Sequence, residues 1–438
     1  MSTQPLYLAG ALGQYPAATA SKSGTYVNKL SFGGVFLFIS CLLIVGSGIG
    51  QFRPDIGGMR LHPYLIPLGV AFPFLFITRL QRFPPNILAG MVVFAMIYIA
   101  AVINGGGGGT SEIAKILCGG IAIVAAALLV QSHADFVAGA VGLNLAVAAL
   151  AVRGLSEENL AAGGFQGIDV ANKNSYSLYA LPAILLAGFV ILRMPRTWIP
   201  VKAVLGVTAI CCLAAIFMSG NRSGYLGAVV IGFLLFKDRK IRGLLFVGAV
   251  VGALVLLISS YGSTKVLDQR LKQTREGTRS DELRKALIIN CIKIGVENPI
   301  LGVSPQGLPL TIGRQLQLEF GHDIVDPHNV FGQIIGGCGL ICFAVFVYTG
   351  VALWRWSKPI KDPEADRLYP DMGRMLHMFL ILWCVRGNFS REILYAPGFV
   401  LALGMIIGIL YIQKKWNLRT PEKTRIAPAK TALLPVRA

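Results

Sequence analysis

The sequence predicts an all-α polytopic membrane protein, and three observations carry that prediction. Of its 438 residues, 54% are hydrophobic and only 14% charged, with a mean hydropathy of +0.64. A water-soluble core cannot take up that much apolar sequence. The apolar residues gather into about twelve segments, most near the roughly 20 residues a helix needs to cross a hydrocarbon layer about 30 Å thick. The basic residues gather in all but one of the alternate connections on one side.

In order, the expected spans are Ser31–Gly50, Leu61–Leu80, Pro85–Ile103, Ile113–Gln131, Ala134–Val152, Ser175–Leu192, Trp198–Met218, Gly224–Phe236, Gly243–Tyr261, Asn329–Trp354, Gly373–Val385 and Pro397–Tyr411. Gly224–Phe236 is short and is expected to begin nearer Asn221. Gly373–Val385 carries His377, and Ile113–Gln131 holds Lys115 near its start.

A formal net charge of +19 would suit a nucleic-acid binder if it lay on a soluble domain. It lies instead in short loops, which argues against nucleic acid as a partner. Lys22 and Lys29 precede the first span. Arg79 and Arg82, Arg193 to Lys202, Lys237 to Arg242, Arg355 to Arg374 and Lys414 to Arg425 follow the second, sixth, eighth, tenth and twelfth, while Ser132–His133 after the fourth holds neither Lys nor Arg. The positive-inside rule then places both termini in the cytoplasm. The first forty residues read as lacking a cleavable signal, because the apolar run is too long and no small-residue cleavage site follows.

Divided by this topology, residues 1–30 form a cytoplasmic start and 31–261 carry nine spans. Residues 262–327 form a large outward loop, 328–414 carry three further spans, and 415–438 form a basic tail suited to anionic lipid headgroups. Within the large loop, Ser280–Ile294 has an amphipathic pattern. Leu283, Leu287 and Ile294 share one side, and Arg284 and Lys285 another. Ser280 or Asp281 is a candidate cap. Asn298-Pro299 should end the helix, because the residue before proline avoids the helical region. The run Gly105–Gly109 lacks the lysine and Ser/Thr of a phosphate-binding loop and reads as a flexible outward linker.

Seven of eight cysteines lie in spans and only Cys291 outside, so no disulfide is expected in the loop. Cys338 and Cys342 have i, i+4 spacing but no His or carboxylate partner, so they read as core packing. His322, Asp323 and Asp326 near His328 match no metal-ligand spacing, and no metal is expected.

The chemistry-bearing candidates are basic residues on the outward side, where Arg and Lys are disfavoured. Arg222, in Ser219-Gly220-Asn221-Arg222-Ser223-Gly224, interrupts an apolar stretch. It is either a snorkelling helix end or an anion contact, with flanking glycines admitting a ligand to the backbone. Arg279 opens the amphipathic helix, as an anion ligand or part of a solvated face. Arg284 beside it reads mainly as solvated. His328, in Asp326-Pro327-His328-Asn329, is either a polar cap or a proton carrier. Arg386 and Arg391 lie between the last two spans, open between structural and anion-binding roles. Arginine suits a diphosphate because its planar fork donates parallel hydrogen bonds.

At these residues the chain resembles the O-antigen ligase family, which shares a domain with O-antigen polymerases. The resemblance rests on Ser219 to Gly224, on Arg279 to Leu287 followed by Asn298-Pro299-Ile300-Leu301-Gly302-Val303, and on His328-Asn329 before Gly337–Leu340. Leu283 stands where the family has tryptophan, Ser304 where it has the second glycine of Gly-x-Gly, and Asn221 where it often has serine. The resemblance implies a GT-C-like membrane glycosyltransferase of the bacterial inner membrane with a periplasmic site. It implies transfer of O-antigen from undecaprenyl diphosphate to lipid A–core oligosaccharide, with no cofactor and as a monomer. His328, Arg222 and Arg279 would be catalytic. Arg284, Arg386, Arg391 and Asn329 would contact diphosphate or lipid. The rivals are a polymerase, a protein O-oligosaccharyltransferase and, in another class, a transporter of anionic glycolipid. Charges clustered at one face rather than at mid-membrane favour an enzyme over the transporter.

Overall fold

The computed structural model describes residues 29–48, 55–56, 59–60, 62–105, 109–154, 173–193, 199–219, 221–236, 279–320, 327–358 and 372–419. These are almost entirely helical, apart from a two-residue antiparallel ladder pairing Asp55–Ile56 with Met59–Arg60. Every expected span except Gly243–Tyr261, which lies outside the described residues, falls on a helix. Among the described residues eight helices are long and apolar enough to cross a membrane; Phe32–Ser47 and Ser223–Phe236 are shorter apolar helices. Met372–Gly387 has 16 residues. The protein is a multi-pass membrane protein, and its outward-facing apolar side chains agree: Ile77 is 85% and Phe74 74% exposed, as lipid-facing residues must be.

The core forms where small residues let helices approach closely. Pro397–Arg419 packs on Thr110–Leu129, burying Ala122, Ala125 and Ala126. Phe32–Leu42 packs on His133–Gly154. There Asp135 accepts from the Ser31 amide (2.7 Å) and hydroxyl (2.8 Å) and from the Gln131 amide (2.9 Å). The same end of the bundle holds the contact of the Met372 amide with Gln413 and of His377 with Trp354.

In the expected outward loop, the helix Arg279–Glu297 contains the predicted amphipathic stretch. Leu287, Cys291 and Ile294, at i, i+4 and i+7, are buried, while Arg284 and Lys285 are exposed. It ends before Asn298-Pro299, as expected. The cap reading of Ser280 and Asp281 fails, because both lie within the helix Arg279–Glu297. A second helix, Gly307–Phe320, escaped the sequence reading because Pro309 looks like a breaker; in a first turn proline forfeits no intrahelical bond. Its Leu308, Ile312 and Leu316 close a small separate core over Leu287, Cys291 and Ile294. All eight cysteines are free thiols, and Cys338 and Cys342 are buried among apolar neighbours.

The expected span Asn329–Trp354 is not one regular helix. Val330–Gly332 runs into a π-helical turn, Gln333–Gly337, and then into Cys338–Trp356, with Gly339 at φ 85°, ψ 171°. The cause lies in what packs on it. The Val303 amide donates to Gly336 O (3.1 Å) and the Ile341 amide to Pro299 O (3.2 Å). Two segments thus share hydrogen bonds between residues 33 and 42 positions apart in sequence. Gly302 (φ 63°) and Gly339 sit at the contact, in backbone conformations that a side chain disfavours. A Cβ on Gly302 would collide with the Gly336–Gly337 backbone, and one on Gly339 with Pro299 and Ile300.

Candidate active site

Asn221 caps the helix Arg222–Phe236. Its Oδ1 accepts from the Ser223 amide (3.1 Å), the Gly224 amide (3.2 Å) and the Ser223 hydroxyl (2.7 Å). Its Nδ2 donates to Ser177 Oγ at 2.9 Å. The same Ser177 oxygen accepts from Arg386 Nη2 at 2.7 Å. Arg386 is fully buried, and Glu392 provides an opposing charge. A buried guanidinium is tolerated only with hydrogen-bond and charge partners. The turn after it continues the chain of contacts. Asn329 Nδ2 lies 3.4 Å from both the backbone and the side-chain oxygen of Asn388, and Gly387 packs against Val330 and Phe331.

Asn329 also caps its own helix, accepting from the Phe331 (2.8 Å) and Gly332 (3.0 Å) amides. The cap reading of His328 is therefore taken by its neighbour. His328 itself is exposed, at φ 46°. Left-handed backbone on a non-glycine residue is uncommon, and it collects at functional sites where the surroundings impose it.

These contacts bring the Asn221-Arg222 helix start, the Arg386–Asn388 turn and the His328-Asn329 helix start to one end of the bundle. The Arg279 helix joins them through its packing on Gly332 and Gly336 by Cys291. Arg222 opens its helix, and Arg279 is the first described residue of its own. A cation at that end faces the positive pole of the helix dipole, which is unfavourable by about 0.3–1 kcal/mol. An anion seated at such an end gains from the same dipole. Arg391 is half-buried in the short turn Arg391–Leu394, and Arg284 is exposed.

Of the two flanking glycines Gly220 lies outside the described residues, and Gly224 has another explanation than ligand access. Gly224 packs against Ile216 and Ser177, so its missing side chain serves helix contact. The ends of the glycine linker are likewise docked: Gly105 lies against Ser304 and Gly109 against Gln306. Residues 106–108, and with them most of the expected linker, lie outside the described residues, as do His322, Asp323 and Asp326. Among the described residues no three His, Cys, Asp or Glu side chains are grouped to hold a metal ion. Sequence reading missed Ser177 and Asn388. Ser177 is one of several polar residues at a helix start, and nothing in its neighbours marks it as the shared acceptor.

Fold and site together define a multi-pass helical membrane protein with basic residues gathered at helix starts on one end of the bundle. Residues 207–347 match a family model described as O-antigen ligase. The matched segment contains Arg222, Arg279 and His328, and it bears out the family resemblance read from the sequence. That segment is thus similar to a domain of membrane enzymes that act in O-antigen assembly. No curated protein matches the chain.

Proposed function

We propose that the protein transfers O-antigen polysaccharide from undecaprenyl diphosphate to lipid A–core oligosaccharide, at the periplasmic face of the inner membrane. The observation that carries this reading is the convergence of two helix starts of the family-matched segment, those of Arg222 and His328, through Asn221 and through Ser177, Arg386 and Asn388 from outside that segment.

In this mechanism His328 takes the proton from a sugar hydroxyl of the acceptor. The oxygen attacks the anomeric carbon as the bond to the diphosphate breaks, inverting the configuration. The diphosphate leaves with the electron pair, held by Arg222 and Arg279, without a metal. A charge pair 4 Å apart contributes on the order of 4 kcal/mol at an effective dielectric near 20, so two arginines suffice to stabilise a leaving diphosphate. Positioning two lipid-anchored reactants supplies much of the remainder. Asn329 and Arg386 act as positioning residues, since their polar atoms hold the two helix starts in register. Arg284 and Arg391 are the remaining anion contacts.

The deciding experiment uses purified protein in lipid with a glycan on undecaprenyl diphosphate and lipid A–core. Product on the core supports the ligase. Chain growth alone makes it a polymerase, and no product returns the transporter class.

A further inference from the structure

Lys115 lies within an apolar span, where an ionisable side chain calls for a functional reading and a partner. Its partner is Glu112, in the first turn of the same helix. Lys115 Nζ and Glu112 Oε1 are 2.7 Å apart, with side chains 39% and 12% exposed. Tyr98 Oη donates to Glu112 Oε2 at 3.4 Å from the neighbouring helix. Lys115 Nζ sits 5.2 Å from the centroid of the Tyr395 ring, and Arg391 is within electrostatic reach of the Tyr98 hydroxyl. Next to the helix start, Gly109 touches Gln306, whose buried amide oxygen has no hydrogen-bond partner among the described residues.

This cluster lies at the same end of the bundle as His328, because Arg391–Leu394 packs against Val330–Gly332. Its composition is unlike a diphosphate site, where cations would dominate. A carboxylate is paired to an ammonium that lies over an aromatic ring, and a buried phenol holds the carboxylate from behind. Such a set offers donors and acceptors to hydroxyl groups and an apolar surface to the C–H face of a sugar ring. A pair serving helix stability alone would need neither the Tyr395 face nor the Tyr98 contact.

We infer that Glu112, Lys115, Tyr98 and Tyr395 form a saccharide subsite that holds a sugar of the reacting glycans beside His328. The subsite rests on the transfer reading above. Glu112 accepts from sugar hydroxyls, Lys115 donates, and Tyr395 supports the ring.

The test is direct binding of two water-soluble probes to the full-length protein in lipid nanodiscs: delipidated core oligosaccharide and free O-antigen repeat oligosaccharide. One probe should bind wild type, and Glu112→Gln and Tyr395→Leu should each weaken it tenfold or more at an unchanged melting temperature. Which probe responds tells acceptor from donor glycan. Should either variant fail to fold, Lys115→Gln, at the exposed side of the pair, takes its place under the same criterion. If neither probe binds wild type, or the folded variants bind as wild type does, the subsite is wrong. Transfer is read separately. Binding that needs Glu112, with no transfer product from wild type, would keep the subsite and remove the transfer reading.

Discussion

Arg386 donates to Ser177 across 209 residues of sequence, at 2.7 Å and out of contact with solvent. Because Ser177 also accepts from Asn221, this one oxygen ties the last connection of the bundle to the cap of the Arg222 helix. A residue that no motif marks thereby sets where a motif residue sits.

Removing that oxygen has a defined consequence. Ser177→Ala leaves two buried donors without their acceptor, which costs about 1–3 kcal/mol per unsatisfied group. Its melting temperature should fall, and transfer should fall further than the loss of folded protein explains. Unchanged activity in the folded fraction would mean the link is structural only.

Removing the proposed base should separate activity from stability. His328→Ala should lower transfer by about 10²–10⁴-fold, the usual contribution of a general base, at equal expression. His328→Gly should be equally inactive. It should also melt no lower than His328→Ala, since glycine adopts φ 46° freely. Normal amounts of capped lipopolysaccharide from either variant would sink the base assignment.

For Arg222 the informative change is to lysine, which keeps the charge and loses the fork. Transfer by Arg222→Lys should drop at least tenfold, with the defect in turnover rather than in melting temperature. Wild-type rates would identify Arg222 as a snorkelling helix end.

The paired motifs predict contrasting effects at Gly302 and Ser304. Gly302→Ala places a Cβ against the Gly336–Gly337 backbone at φ 63°. It should destabilise by more than about 2 kcal/mol. Ser304 already sits at φ 71°, and its Oγ accepts from the Gly307 amide at 3.0 Å. Ser304→Gly therefore relieves strain but loses a cap, two terms near 1 kcal/mol each and opposite in sign. Ser304→Ala loses the cap without relief and should be the less stable of the two in thermal denaturation.

Much of this was legible in the sequence. Helices over the spans follow from length and hydropathy. The amphipathic stretch around Leu287 follows from periodicity, and the sided basic residues follow from the membrane's electrical and solvation asymmetry. The Asn298–Val303 and Gly337–Leu340 motifs were visible as strings, but the reason for them was not. That two glycines and a serine take positive φ so that one segment can donate to the other's carbonyl is a property of their contact. Likewise a cap at His328 and one at Asn329 look alike in sequence, and only the helix start chooses between them.

By itself the sequence determined a helical membrane protein with a one-sided set of cations, because burial of apolar length and exclusion of charge from lipid are one-dimensional constraints. The tertiary structure decided which cations share an end with His328, and that Ser177, Arg386 and Asn388 join them. Those relations depend on side chains hundreds of residues apart meeting at hydrogen-bond distance, and no local pattern encodes that meeting.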